Sequence, residues 1–472
     1  LGTVAFAAAP DRRPSVVEEG ERFVFQALED DQGGFYIIWT HRAGDETFEL
    51  LGQHVAADAK PLWPRPGAPL ATRMINPDDW DAIPDGKGGV IVTWIESFRT
   101  RAQRFGAEGK ALWPERASVT ASTMTSVHPT AVADPSGGAY FVWSEQRYPR
   151  RWVLVSQRIN GTGAPVWTVE GTRVSLRPSD QRRPRIVMDG QGGAVVAWND
   201  FRENASQVMS QRLDFQGNRM WGAEGVLVTA PASQKDSPLL APIGDGGAAL
   251  AWSGSRGAKT RLFLQVLDPK GRFRWQAQGV NLSVGAWDQW NPSLVGDAQG
   301  QLWVGWEDFR NHSHWQAFMG QLDKDMHTTW PGSEVPVAPY IADQGRLRFV
   351  ESGRKGVFVT WVDNRGGRPG VYVQEIDLQG RALLGEEGMP VAKGLSDPGA
   401  PQIINLAPGR AAVFYADREK KDRWALYWKA VTGPTIDEKR TNPATRPTTP
   451  TTPGPAFPED DVPIQTGVGE GR

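Results

Sequence analysis

The stretch DGQGGAVVAWNDFR, residues 189–202, places a Gly-Gly turn before an apolar strand that closes on Trp198, Asp200 and Arg202. Gly-Gly supplies positive φ at no steric cost, as a tight hairpin requires. The unit returns along the chain: DQGGFYIIW, DGKGGVIVTW, DPSGGAYFVW, GDGGAALAW, DAQGQLWVGW, GRKGVFVTW and PGRAAVFY end on Trp39, Trp94, Trp143, Trp252, Trp306, Trp361 and Tyr415. With Trp198 in its place, the successive intervals are 55, 49, 55, 54, 54, 55 and 54 residues. A period so regular is that of a repeat architecture.

Each copy carries further parts. A proline stands fourteen residues before the motif aromatic at Pro129, Pro184, Pro238, Pro292 and Pro401. A third strand follows with a glutamine, at Gln53, Gln103, Gln157, Gln211, Gln265 and Gln374. Ten residues beyond the first five of these comes a second tryptophan, at 63, 113, 167, 221 and 275. The turn between them reads D-x-x-G, as in LDFQGNRMW ending at Trp221. Four short strands per ~54 residues, eight times over, predict an all-β, eight-bladed β-propeller of four-stranded antiparallel blades over residues 1–431. The eighth copy has a third strand, WALYWKAV, but no fourth. LGTVAFA at the N-terminus is similar to the missing strand, so residues 2–7 are expected to lock the ring. Residues 432–472 are Pro/Thr-rich without period, an extended tail expected to engage a partner.

Composition narrows the function classes. The chain of 472 residues has no cysteine, which removes disulfides, cysteine nucleophiles and thiolate metal sites. A formal charge of −2, with no basic stripe, gives no reason to expect nucleic acid. No apolar run approaches the ~20 residues of a membrane-spanning helix.

The D-x-x-G-x-x-x-W element resembles the tryptophan-docking motif of eight-bladed quinoprotein-like propellers, with an Asp–Gly spacing one residue shorter. That resemblance implies either pyrroloquinoline-quinone dehydrogenases or non-enzymatic outer-membrane assembly proteins. The dehydrogenases set a vicinal cysteine pair against the cofactor, so no cofactor is expected here. The Asp-box of sialidases differs in its Asp-to-Trp spacing. The W-x-D-x-R and Q-x-x-D-x-x-G units look most like those of secreted bacterial propeller repeat proteins, which implies an exported protein of the periplasm, cell surface or medium.

Carboxylate–arginine pairs recur as Glu145/Arg147, Asp200/Arg202, Asp308/Arg310, Asp363/Arg365 and Asp417/Arg418. An active site is made once, from unlike residues, so pairs repeated blade after blade read as scaffold. Gln211 and its equivalents are expected to satisfy backbone groups between blades, and Trp198, Trp306 and Trp221 to pack there. Departures from the repeat are the functional leads. His312, His314 and Trp315 in HSHW break the pattern, although no third metal ligand is evident and no metal is expected. Trp80, Trp287 and Trp290 fall in connections between fourth and first strands, where exposed aromatics stack on sugars or anchor proteins. The residues therefore predict a non-catalytic binding or assembly platform of the bacterial envelope. A carbohydrate-active enzyme and a glycan-binding propeller are the alternatives.

Overall fold

The computed structural model describes residues 16–19 and 23–434, apart from 45–46, 65–66, 115–116, 150, 203–204, 230–237, 257–258, 276–278, 283–286, 298–299, 311–312, 324, 326, 329, 331–333, 341, 355 and 422. The chain divides into two units, Leu1–Pro434 and Thr435–Arg472. The expected partner-binding tail lies, beyond Pro434, outside the described residues.

The fourth repeat shows how the motif folds. Asp189 Oδ1 accepts the N–H groups of Gln191 (2.7 Å) and Gly193 (2.8 Å), turning the inner strand Asp180–Met188 into the second strand Ala194–Arg202. The third strand, Ala205–Leu213, pairs with it antiparallel, and Val226–Leu227 adds the outer edge. Val196 and Trp198 point into the apolar layer shared with the preceding repeat, Val195 and Ala197 into the layer shared with the next. Both faces of the sheet are buried, so the second strand is apolar from Ala194 to Trp198.

Eight such antiparallel sheets form. Their apolar side chains gather into eight clusters among the described residues, each between consecutive blades. One cluster joins Phe35 and Trp39 of blade 1 to Phe414 and Leu426 of blade 8, so the sheets close into a ring. The protein unit Leu1–Pro434 is an all-β, eight-bladed β-propeller, and no helix occurs among the described residues.

Closure comes from the N-terminal side; residues 2–7, expected to supply it, lie outside the described residues. Val16–Glu19 pairs with the third strand of blade 8, Val16 opposite Leu426 and Glu19 opposite Arg423. Blade 5 also departs from the expected four strands. Its sheet has three, and Val280 makes a single bridge to Leu264 where the fourth would run. The short interval of 49 residues has one cause. In blade 2 the second and third strands, Val90–Glu96 and Arg99–Phe105, are joined by only Ser97 and Phe98, both with positive φ (49° and 64°). This is the geometry of a two-residue hairpin, made here without glycine.

Candidate functional site

The repeated Trp-x-Asp-x-Arg element is hydrogen-bonded within the scaffold. Trp198 is fully buried, and its indole N–H donates to Asp200 Oδ2 at 3.3 Å; Ser179 donates to the same oxygen at 2.6 Å. Trp361 donates to Asp363 at 3.1 Å, whose carboxylate holds Arg365 Nε at 2.7 Å. Arg310 Nη2 lies 2.9 Å from Asp308, and Arg147 Nε 2.6 Å from Glu145. The Arg202 side chain lies outside the described residues. Asp417 receives the backbone N–H groups of Ser396 and Asp397, both at 3.0 Å. Carboxylates so occupied brace hairpins to the preceding connection.

The glutamines differ from expectation. Gln211 Oε1 accepts the N–H of Trp221 at 2.9 Å, and its Nε2 donates to the Gly222 carbonyl at 2.7 Å. Gln53 and Gln157 do the same for Trp63 and Trp167. These bonds stay within one blade, because the chain returns to its own third strand ten residues later. The second tryptophan is what crosses between blades. Trp63, Trp113, Trp167, Trp221 and Trp330 donate to carbonyls of Ala107, Gly161, Phe215, Pro269 and Leu378, each in the next blade. Each such turn presents a glycine to the indole; a Cβ on Gly271 would sit 2.8 Å from Trp221 Cγ.

The face formed by the second-to-third-strand hairpins and the fourth-to-first connections holds what the scaffold leaves unused. At Val127/Thr130, Arg182/Arg185, Trp290/Ser293 and Gly345/Arg348 the inner strands of blades 3, 4, 6 and 7 shift register. The residue within each bulge is left-handed without being glycine: His128 (φ 52°), Arg183 (53°), Asn291 (50°) and Arg346 (59°). In three of the four the proline of the repeat follows, where a bulge removes the need for its missing N–H. Four strained positions that bear polar side chains, two arginines, a histidine and an asparagine, mark this rim as the candidate site.

Two clefts open on the rim. His128, Arg182, Arg183, Asn199 and Phe201 line one, between blades 3 and 4. The other, of ≈ 340 Å³, is lined by Asn291, Glu307, Trp315, Asp343, Arg346 and Asp397. Glu307 replaces the small or neutral residue that follows most motif aromatics, and burial raises its pKa. Both its oxygens are engaged, by the Arg346 N–H (2.6 Å) and by Asn291 Nδ2 (2.7 Å). Desolvation also lowers the pKa of His128, with Arg183, Arg182 and Arg185 adding to the effect and Asp79 opposing it.

The residues singled out from sequence meet different fates. Trp315 lines the second cleft and packs against Phe309, the rings tilted by 43° with centroids 5.0 Å apart. Trp287 and Trp290 are half-buried. Trp80 is no exposed anchor: it opens the inner strand of blade 2, is buried, and donates to the Pro77 carbonyl at 2.9 Å. His314 bonds Ser313 at 2.8 Å, and His312 lies outside the described residues. Among the described residues no group of three His, Asp or Glu side chains could hold a metal ion. The bulge residues escaped sequence reading, although the proline beside His128, Arg183 and Asn291 was a signal for them.

No known protein family matches the sequence, and no curated protein does. Solved structures are similar to the chain at low identity. An ulvan lyase of a new polysaccharide lyase family is 10% identical, with 92% of this chain and 96% of that one covered at a TM-score of 0.48. The β-propeller domain of the Trilobed protease from Pyrococcus furiosus is 10% identical over 77% of this chain and 98% of that chain, at 0.41. An endo-arabinase from Bacteroides thetaiotaomicron is 16% identical over 54% and 95%, at 0.32. Likeness at this level does not carry chemistry from one propeller to another.

Proposed function

We propose that the chain is a non-catalytic platform whose protein partner docks on the hairpin face of blades 2–4. The distribution of apolar surface supports this reading. Among the described residues, all thirteen exposed large hydrophobic side chains fall between Leu62 and Leu227, in the first half of the ring. Phe98 (52% exposed), Met124 (44%), Tyr148 (49%) and Phe201 (41%) crown the hairpin face. The Phe98 hairpin is tied to the next connection by hydrogen bonds from Ser126 N to the Phe98 carbonyl (2.9 Å) and from Arg99 to the Met124 carbonyl (3.0 Å). Aromatics, Met and arginines on one fixed surface are the composition of an interface core. The carboxylates that an enzyme would need are, in the repeat, already bonded.

Cross-linking of the full chain to co-purifying proteins, read by mass spectrometry, tests this. Cross-links should cluster around Phe98, Tyr148 and Phe201 and vanish in a triple serine variant that keeps its Tm. A chain that stays monomeric, or cross-links confined to blades 5–8, would sink the reading. The cleft with Trp315, Asp343 and Asp397 favours a second reading, saccharide binding. Calorimetric titration with neutral and acidic oligosaccharides, with Trp315→Ala as control, checks it: binding that the substitution abolishes supports this reading.

A further inference from the structure

One register position recurs on the inner strand of each blade, thirteen residues before the motif aromatic. Three of its occupants staple the seams around ring closure. Gln402 Nε2 donates to the Phe25 carbonyl (2.6 Å), Gln26 Nε2 to the Ala82 carbonyl (2.8 Å), and Asp81 accepts from Thr130 Oγ1 (2.8 Å) and the Ala131 N–H (3.0 Å). The staples thus run from blade 8 to blade 1, from 1 to 2 and from 2 to 3.

Blades 4 and 7 carry Arg185 and Arg348 at this position, opposite Ala197 and Thr360 of their second strands. Neither joins a neighbouring blade. Arg348 donates only to the Leu347 carbonyl, at 2.7 Å, and Arg185 has no hydrogen bond or ion pair among the described residues. Both side chains are solvent-accessible. Arginines elsewhere in the inter-blade scaffold are matched: Arg104 to Asp85, Arg158 to Asp134, Arg212 to Asp189, all within 2.8 Å.

Arg185 nevertheless acts on residues of three other blades. Its charge bears on Asp81 of blade 2, His128 of blade 3 and Arg348 of blade 7. Arg185 and Arg348 stand at one register on the inner strands that line the axis of the ring, and both are exposed to solvent there. The two guanidiniums repel one another, and although Glu307 attracts Arg348 from a distance, no carboxylate bonds to either. A guanidinium binds an oxyanion through paired N–H donors.

We infer that Arg185 and Arg348 form an anion site in the central channel, taking one small oxyanion, a phosphate or a carboxylate. The site stands on the inner strands and does not depend on the docking face. A ligand bridging blades 4 and 7 staples the part of the ring that Gln402, Gln26 and Asp81 do not reach.

Thermal unfolding and calorimetric titration of the full chain test it, with inorganic phosphate and citrate against chloride at equal ionic strength. A saturable rise in Tm with measurable heat is expected, and Arg185→Gln and Arg348→Gln should each abolish it. Arg272→Gln, on an exposed turn, should keep it. In chloride alone Arg348→Gln should match or exceed the parent, since desolvation of its charge, with the repulsion of Arg185, outweighs the attraction of Glu307; at saturating anion the order should reverse. Response to phosphate assigns a free inorganic ion, and response to citrate alone assigns a carboxylate ligand. A rise that never saturates, or one that survives both substitutions, overturns the site. Should neither glutamine variant fold, the parent's saturation and heat decide alone.

Discussion

At the scale of single residues, the W-x-D-x-R element makes a sharp distinction between bracing and chemistry. Asp200→Ala leaves the Trp198 N–H and the Ser179 hydroxyl without their acceptor in a dry layer. The expected cost is about 2–3 kcal/mol of unfolding free energy, measured in urea. An unchanged stability would return Asp200 to the list of functional candidates. Gly271→Ala tests the docking tryptophan from the other side. Its φ of 77° and the 2.8 Å approach to Trp221 both oppose a Cβ, so a loss of more than about 1 kcal/mol is expected. His128 offers a pH handle. Its folded pKa lies below 6.5, so its contribution is complete above 6.5 and is lost as pH falls toward the folded value. The parent should therefore lose Tm relative to His128→Gln as pH drops from 7 to 5. A flat difference between the two would show that desolvation at the rim is too weak to matter.

At the scale of elements, most of the blade was legible because period and burial go together. Gly-Gly before an apolar strand marks a hairpin whose sheet is covered on both faces, and the motif aromatic marks the strand's buried end. The partners of individual contacts were not legible. That Trp221 reaches the Pro269 carbonyl, or that Gln211 turns back to its own chain, depends on the path of a loop and not on spacing. The site was harder still. Bulges at Arg183 and Asn291 come from a register shift that changes no residue type, and only the adjacent proline hints at them. Phe98 belongs with these. Ser97 and Phe98 hold a turn that glycine would make without strain, so Phe98→Gly should raise stability by about 1 kcal/mol while weakening partner capture. A variant both more stable and fully competent would remove Phe98 from the docking face.

At the scale of the whole molecule, the ring is tied unevenly. Gln402, Gln26 and Asp81 bind the blades near closure to one another, and among the described residues the exposed large apolar side chains fall in the half that begins there. Closure itself rests on Val16–Glu19, a strand supplied some 400 residues before the partner edge at Arg423–Leu426. The junction lies inside a blade, not between two. A polypeptide that stops short of Arg423 leaves its opening strand with no edge to meet, however well the intervening blades have formed. Synthesis must reach the final repeat before the first one can be sealed. Ring closure is in this sense a proofreading step, by which the fold withholds its finished form from any chain that has not been made to the end of the last blade.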